Sequence, residues 1–400
     1  MTGRDIGLSV LDLVPIASGS TARDALHNTV DLARRAEAAG YLRYWIAEHH
    51  LNPGVAGTSP ALVISLVAAA TEHIRVGSGA VQMGHHTPLS VVEQFGIIDA
   101  LHPGRIDLGL GRSGFRRGTT PPPARPTDAH HTPEGLLIPA PFSFTHLVGS
   151  PRFALQGALL QQPNAETPDY VDQLDDILAL IAGTYHDTAG THAHIVPGQG
   201  ATLDVWILGS SGGISATVAG ERALPFAANY HVAPSAVLDA VDGYRHSFQP
   251  TDRRPEPYVA VSADVVVADT DAAARELATG YGLWVRGIRS ADGAIPFPTP
   301  DEARRHHWTD NDRALVQDRV DTQFVGSPTT VADQLEILAA ATGANELLLT
   351  TITHDHADRV HSYELIAHEW TNRHPTPTEL NGDRDGAPAP AAAPGAIRPR

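Results

Sequence analysis

The chain has 400 residues, 42% hydrophobic and 18% charged, which is enough apolar material for a sizeable core and inconsistent with general disorder. A formal net charge of −17 sets long-range repulsion against a nucleic-acid backbone or an anionic membrane surface, leaving a small, locally recognised ligand as the expected partner. The absence of cysteine excludes disulfides, a thiolate nucleophile and Cys-ligated metal or iron–sulfur centres, so redox chemistry would require a bound cofactor. The first residues lead into an apolar run without the basic-then-apolar order of a secretory signal, and no span reaches transmembrane length. A cytoplasmic protein is expected.

Short apolar runs alternate with longer amphipathic stretches, the order of repeated βα units around a parallel sheet. Ile6 to Leu11 is predicted as the first strand, Ala22 to Ala39 as its helix with Gly40 as the stop, and Tyr44 to Ala47 as the second strand. A helix over Ser59 to Thr71 precedes strand three, Arg75 to Val81. Helix three begins near Pro88, and strand four, Arg105 to Leu110, follows the turn His102-Pro103-Gly104. The second half continues with a helix over Tyr170 to Ala182, strand Asp204 to Leu208, helix Gly213 to Ala223, strand Phe226 to Asn229 and a helix from Pro234. Strands at Tyr258 to Val267 and Glu346 to Thr351, with helices at Thr329 to Thr342 and Ala357 to Trp370, complete eight units. The expected fold is a (β/α)₈ TIM barrel over residues 1–375.

Two stretches interrupt the repeat after strands four and seven: Phe115 to Pro168, rich in Pro, Gly, His and Phe, and Gly280 to Val325, rich in Gly, Pro and charge. Both exceed plain connectors, and in a barrel both would sit near the C-terminal face as lids or substrate walls, or as surface decoration. From Thr376 to Arg400 the composition turns to Pro, Ala and Gly, and a disordered tail is expected.

Glu48-His49-His50 follows strand two, where a barrel presents side chains to its mouth. A His there can take or hold a proton near neutral pH, or simply secure the loop. Metal binding is disfavoured because adjacent residues point apart and the His-Glu-x-x-His spacing is missing. Ser78-Gly79-Ala80 at the end of strand three offers small residues against which a flat group can lie, or a bulge. Arg112, between glycines after strand four, can clamp a phosphate or pair with an acid such as Glu48. After strand five, Gly209-Ser210-Ser211-Gly212-Gly213-Ile214-Ser215 opens a helix, a geometry that offers backbone N–H groups and hydroxyls to a phosphate but equally serves an ordinary helix start.

In this order the pieces resemble the bacterial luciferase-like flavin-dependent monooxygenases, particularly their single-chain oxidoreductase branch. The resemblance is carried by Tyr44 to His50, Thr87 to Gly96, Pro103 to Arg112, Trp206 to Ser211 and Val325-Gly326-Ser327-Pro328, and it spans nearly all of Ile6 to Trp370. It implies FMN over the C-terminal face, its ring against Ser78, Gly79 and Ala80, where the family often has a strained or cis peptide. The phosphate would be held by Arg112 and by Ser210, Ser211, Gly212 and Ser215. It implies His49 as the catalytic histidine, with His50 its less essential neighbour, and no metal. The FMN would arrive reduced from a separate flavin reductase, O₂ would be the co-substrate, and a closed, dry pocket would be needed. A homodimer through the helices starting near Ser59 and Pro88 is a further implication.

The sequence departs from the family pattern at Gly84-His85-His86, at Gly212-Gly213 and in the length of Phe115 to Pro168. The same barrel also serves deazaflavin enzymes that transfer hydride from cofactor F420, whose anionic tail would want more basic residues than the cluster Arg112, Arg116 and Arg117 supplies. A non-catalytic flavin-binding protein is the remaining alternative.

Overall fold

The computed structural model describes residues 6–112, 128–143, 150–162, 165–290 and 292–375. Eight parallel strands, Gly7–Asp12, Arg43–Ile46, Arg75–Ser78, Ile106–Gly111, Asp204–Gly209, Phe226–Asn229, Val259–Val267 and Glu346–Thr350, pair in sequence order. The first also pairs with the eighth, Leu8 opposite Leu347, so the sheet closes and no barrel edge is left unpaired. The fold is a TIM barrel, as the repeat of the sequence predicts.

The helices form where local chemistry starts and stops them. Ala22–Ala38 opens with a capping box between Thr21 and Asp24 and buries Ala25, Thr29, Leu32, Ala33 and Ala36, a stripe of helical period facing the barrel. Pro60–Ala70, Pro88–Leu101 and Pro328–Thr342 each begin with proline, whose missing N–H costs nothing in a first turn.

Strand three differs from its predicted extent, Arg75 to Val81. It ends at Ser78, a cis peptide joins Gly79 to Ala80, and Val81–Gln82 resumes pairing with strand four, Val81 opposite Leu110. Strand four comes close to this break at Gly109, where a Cβ would stand 1.9 Å from the Ser78 carbonyl oxygen. The segment Phe324–Gly326 is an additional strand on the far end of strand seven, with Val265 opposite Phe324. Three residues are too few to show a period, which is why the sequence leaves them inside the second interruption.

The barrel's two ends differ. At the N-terminal end the half-buried Arg43 lies between Glu346 (3.1 Å) and Asp107 (2.8 Å), with its guanidinium 4.7 Å from the Trp206 ring centroid. This paired charge plugs the barrel below the interior layer of Leu11, Trp45, Trp206, Leu208 and Leu348. At the C-terminal end the second interruption folds into helices Tyr281–Arg289, Pro300–Arg305 and Asp310–Asp321. The first of these buries Tyr281, Trp284 and Val285 against the same interior cluster. Of the first interruption, the described parts form a hairpin, His130–His131 with Leu137–Ile138, and a helix, Pro151–Leu160. Arg116, Arg117 and the Thr376 to Arg400 tail lie outside the described residues.

Candidate active site

The loop after strand two is organised around a buried carboxylate. Glu48 is 2% exposed; its Oε1 accepts hydrogen bonds from His50 Nε2 (2.7 Å) and His86 Nε2 (2.9 Å), and its Oε2 from the Gln82 backbone N–H (2.8 Å). Burial alone would raise its pKa, but these donors outweigh it and hold the carboxyl at about 2, so it is ionised at neutral pH. The arrangement engages His50 and His86 with Glu48, and Arg112 makes no ion pair with it among the described residues.

His49 is left facing a cavity. Its backbone N–H is fixed to the Gly57 carbonyl at 2.7 Å, while ring Nδ1 is buried without a partner among the described residues. Burial lowers its pKa to about 4; the Glu48 charge opposes that shift and His50 reinforces it. The ring is therefore neutral at pH 7 and able to accept or hold a proton. Among the described residues no three His, Cys, Asp or Glu side chains are placed to hold a metal ion.

The cavity, about 550 Å³, lies at the C-terminal end of the barrel. Its wall includes His49, Gly79, Ala80, Arg112, Ser210, Ser211 and Ser215 from the sequence-predicted set, contributed by the ends of strands two, three, four and five. Tertiary structure thus brings together segments more than 160 residues apart in sequence. Two of the set do not line the cavity. Ser78 is fully buried, its hydroxyl donating to the Gly109 carbonyl (2.8 Å) and accepting from the Gly109 N–H (2.9 Å). Gly212 turns its N–H away to Asp239 Oδ2 (2.9 Å), and a Cβ there would stand 2.6 Å from the Asp239 carbonyl oxygen.

One end of the cavity has the chemistry of an anion site. The helix Ile214–Glu221 starts there with Gly213 at its N-cap and no side chain capping it, so its first N–H groups are available to a ligand. Ser210, Ser211 and Ser215 flank that start in sequence, and Arg112 lines the same cavity. The lining also has apolar members: Leu11 and Leu13 from the barrel, Val55 from the loop after strand two, and Trp284 and Ile288 from the helix of the second interruption. That interruption is therefore a cavity wall, and Arg152 and Phe153 of the first interruption line the cavity as well.

Several cavity residues escape the sequence reading. Asn229 ends strand six and His231 follows it, and their position at the end of a barrel strand is a signal that could have found them. Asp264 and Arg319 form a buried ion pair at 2.9 Å, joined by the Tyr281 hydroxyl, and Arg289 pairs with Asp318; these contacts depend on how the second interruption folds back.

Residues 6–124 and 148–346 match the model of the luciferase-like monooxygenase family. The chain is 36% identical over 374 residues to the uncharacterised protein YvbT of Bacillus subtilis (strain 168), covering 92% of this chain and 98% of YvbT. It is 34% identical over 368 residues to a luciferase-like monooxygenase of Escherichia coli (strain K12), covering 91% and 97%. The crystal structure of apo-MsnO8 superposes with a TM-score of 0.73 at 30% identity, covering 92% of this chain and 98% of that one. With the barrel, the insertion-lined cavity and this extent of similarity together, the chain belongs to the luciferase-like monooxygenase family.

Proposed function

We propose that the protein binds reduced FMN, delivered by a separate flavin reductase, and uses it with O₂ to oxidise a small organic molecule. The observation that carries this reading is one cavity lined by a neutral His49, whose Nδ1 has no partner among the described residues, by Gly79 and Ala80, and by Arg112 and three serines at an uncapped helix start. Arg112, Ser210, Ser211, Ser215 and the first N–H groups of Ile214–Glu221 would hold the phosphate. The flat ring would lie against Gly79 and Ala80. When bound, reduced FMN supplies the two electrons with which O₂ gives one oxygen atom to the substrate and the other to water. The protein's own part is to orient, to exclude water with Leu11, Leu13, Val55, Trp284 and Ile288, and to hold or move a proton at the His49 ring nitrogen.

Proteins of this fold divide between FMN, as in the complex of the oxygenating constituent of 3,6-diketocamphane monooxygenase, and F420, as in a secondary alcohol dehydrogenase. The charge of this cavity favours FMN: of its four arginines, Arg289 and Arg319 are neutralised by Asp318 and Asp264, leaving few cations for a long anionic tail. The cytoplasm is the compartment we assign to the reaction, and among the described residues no helix is long and apolar enough to cross a membrane. A homodimer is part of the same reading, because Leu62, Leu66, Ile97 and Leu101 expose apolar surface on the adjacent helices Pro60–Ala70 and Pro88–Leu101.

The test is stopped-flow mixing of the protein and photoreduced FMN with oxygenated buffer. Reoxidation that differs from that of free reduced FMN supports the reading. Reduced FMN that neither binds nor reoxidises differently from free flavin refutes it, and F420 titration then distinguishes the hydride-transfer alternative from a non-enzymatic protein.

A further inference from the structure

We propose that His231 is a specificity-determining residue of the cavity, a hydrogen-bond acceptor that selects organic substrates carrying an O–H or N–H donor; this rests on the cavity being the substrate site proposed above. His231 follows strand six and is 9% exposed. The backbone N–H groups of Tyr230 and His231 both donate to the Ser262 carbonyl (3.1 and 3.2 Å), so the residue is pinned to strand seven. Its ring Nδ1 lies 2.5 Å from Ser262 Oγ.

The Ser262 hydroxyl has three acceptors in reach: the ring Nδ1, the Ala228 carbonyl at 3.3 Å and Asn229 Oδ1 at 3.4 Å. With its proton on one of the two oxygens, Nδ1 carries the ring proton and donates to Oγ, and Nε2 keeps its lone pair; this is the tautomer that the ring-nitrogen shifts test. No described residue hydrogen-bonds Nε2, and the ring lines the cavity. Protonation is opposed by burial, by the Arg319 guanidinium and by the proximity of His49, so the acceptor character persists at neutral pH. The two carboxylates of the cavity are already engaged: Asp264 with Arg319 and Tyr281, and Glu48 with His50 and His86.

A hydroxyl or amide N–H reaching this spot would satisfy Nε2. An ether or carbonyl oxygen would oppose one lone pair to another and forfeit its own hydration. The wall formed by Leu13, Val55, Trp284 and Ile288 suits an apolar body behind that donor.

Benzyl alcohol and benzyl methyl ether, which differ in the donor, are suitable probes for titration of the full chain, with and without FMN, followed by the ¹⁵N shifts of the histidine rings. The expected result is a neutral His231 protonated at Nδ1, an Nε2 resonance that moves with the alcohol and not with the ether, and about fivefold tighter binding of the alcohol, the worth of one hydrogen bond. His231→Phe should abolish the preference, while His231→Gln, whose amide oxygen can accept, should keep part of it. Equal affinities in the wild type, no binding of either probe, or a preference unchanged in His231→Phe overturns the proposal. If His231→Phe fails to fold, the wild-type ring shifts and His231→Gln decide. FMN binding is read separately on the same samples: loss of FMN affinity beside an intact alcohol preference defeats the flavin reading and leaves this one standing.

Discussion

Replacing His49 with Gln changes how stability depends on pH, and the size follows from the site. Burial takes the imidazole from 6.5 to about 4 in the folded chain. Between those values the unfolded chain binds a proton that the folded chain refuses, so the wild type loses stability as pH falls through 6.5, and the loss levels off near pH 4. At pH 4.5 the integrated difference is about 2.5 kcal/mol. For roughly 350 described residues that corresponds to roughly 3 °C in melting temperature. Glu48, held at about 2, stays ionised at pH 4.5 in both folded proteins and cancels from the comparison. The assay is a pair of thermal melts, wild type and His49→Gln, at pH 7.5 and 4.5. The variant should gain roughly 3 °C relative to the wild type on going to the lower pH. Melting temperatures that fall in parallel would refute the reasoning, because they would mean that His49 titrates in the fold as it does in water.

Arg112→Ala should weaken FMN binding at least about tenfold, seen by fluorescence titration, because it removes a charge-assisted contact from the anion end, and should leave the melting temperature without flavin unchanged. Gly212→Ala places a methyl 2.6 Å from the Asp239 carbonyl oxygen, so the serine turn must move; FMN affinity should fall more than stability, and unchanged affinity would show that the turn does not serve the phosphate. Glu48→Gln replaces one carboxylate oxygen with an amide N–H₂, which faces either the two histidine donors at Oε1 or the Gln82 N–H at Oε2, with an expected loss of about 1–3 kcal/mol by thermal melts. Leu66→Glu combined with Ile97→Glu should yield a monomer by analytical ultracentrifugation if those helices carry the dimer, and an unchanged sedimentation coefficient would place the interface elsewhere.

The eight-strand repeat was legible because each strand, buried on both faces, reads as an apolar run, and each flanking helix shows its own period or a proline start. The short strand Phe324–Gly326 and the break after Ser78 were not, since one lacks the length to show a pattern and the other lies against the Gly109 backbone of a neighbouring strand. Position after a strand was enough to single out His49, Arg112 and the serine turn as residues that line the cavity. It was not enough to assign Ser78 or Gly212, whose polar groups are taken by Gly109 and Asp239 in the folded chain. By itself the sequence determined the barrel and the strand ends that line the cavity, because periodicity and turn residues are local properties. Only the tertiary structure decided that His50 and His86 converge on one buried carboxylate, that His49 faces the cavity with its Nδ1 unpartnered, and that His231 stands beside Ser262, since hydrogen-bond partners and burial are set by packing between segments distant in the chain.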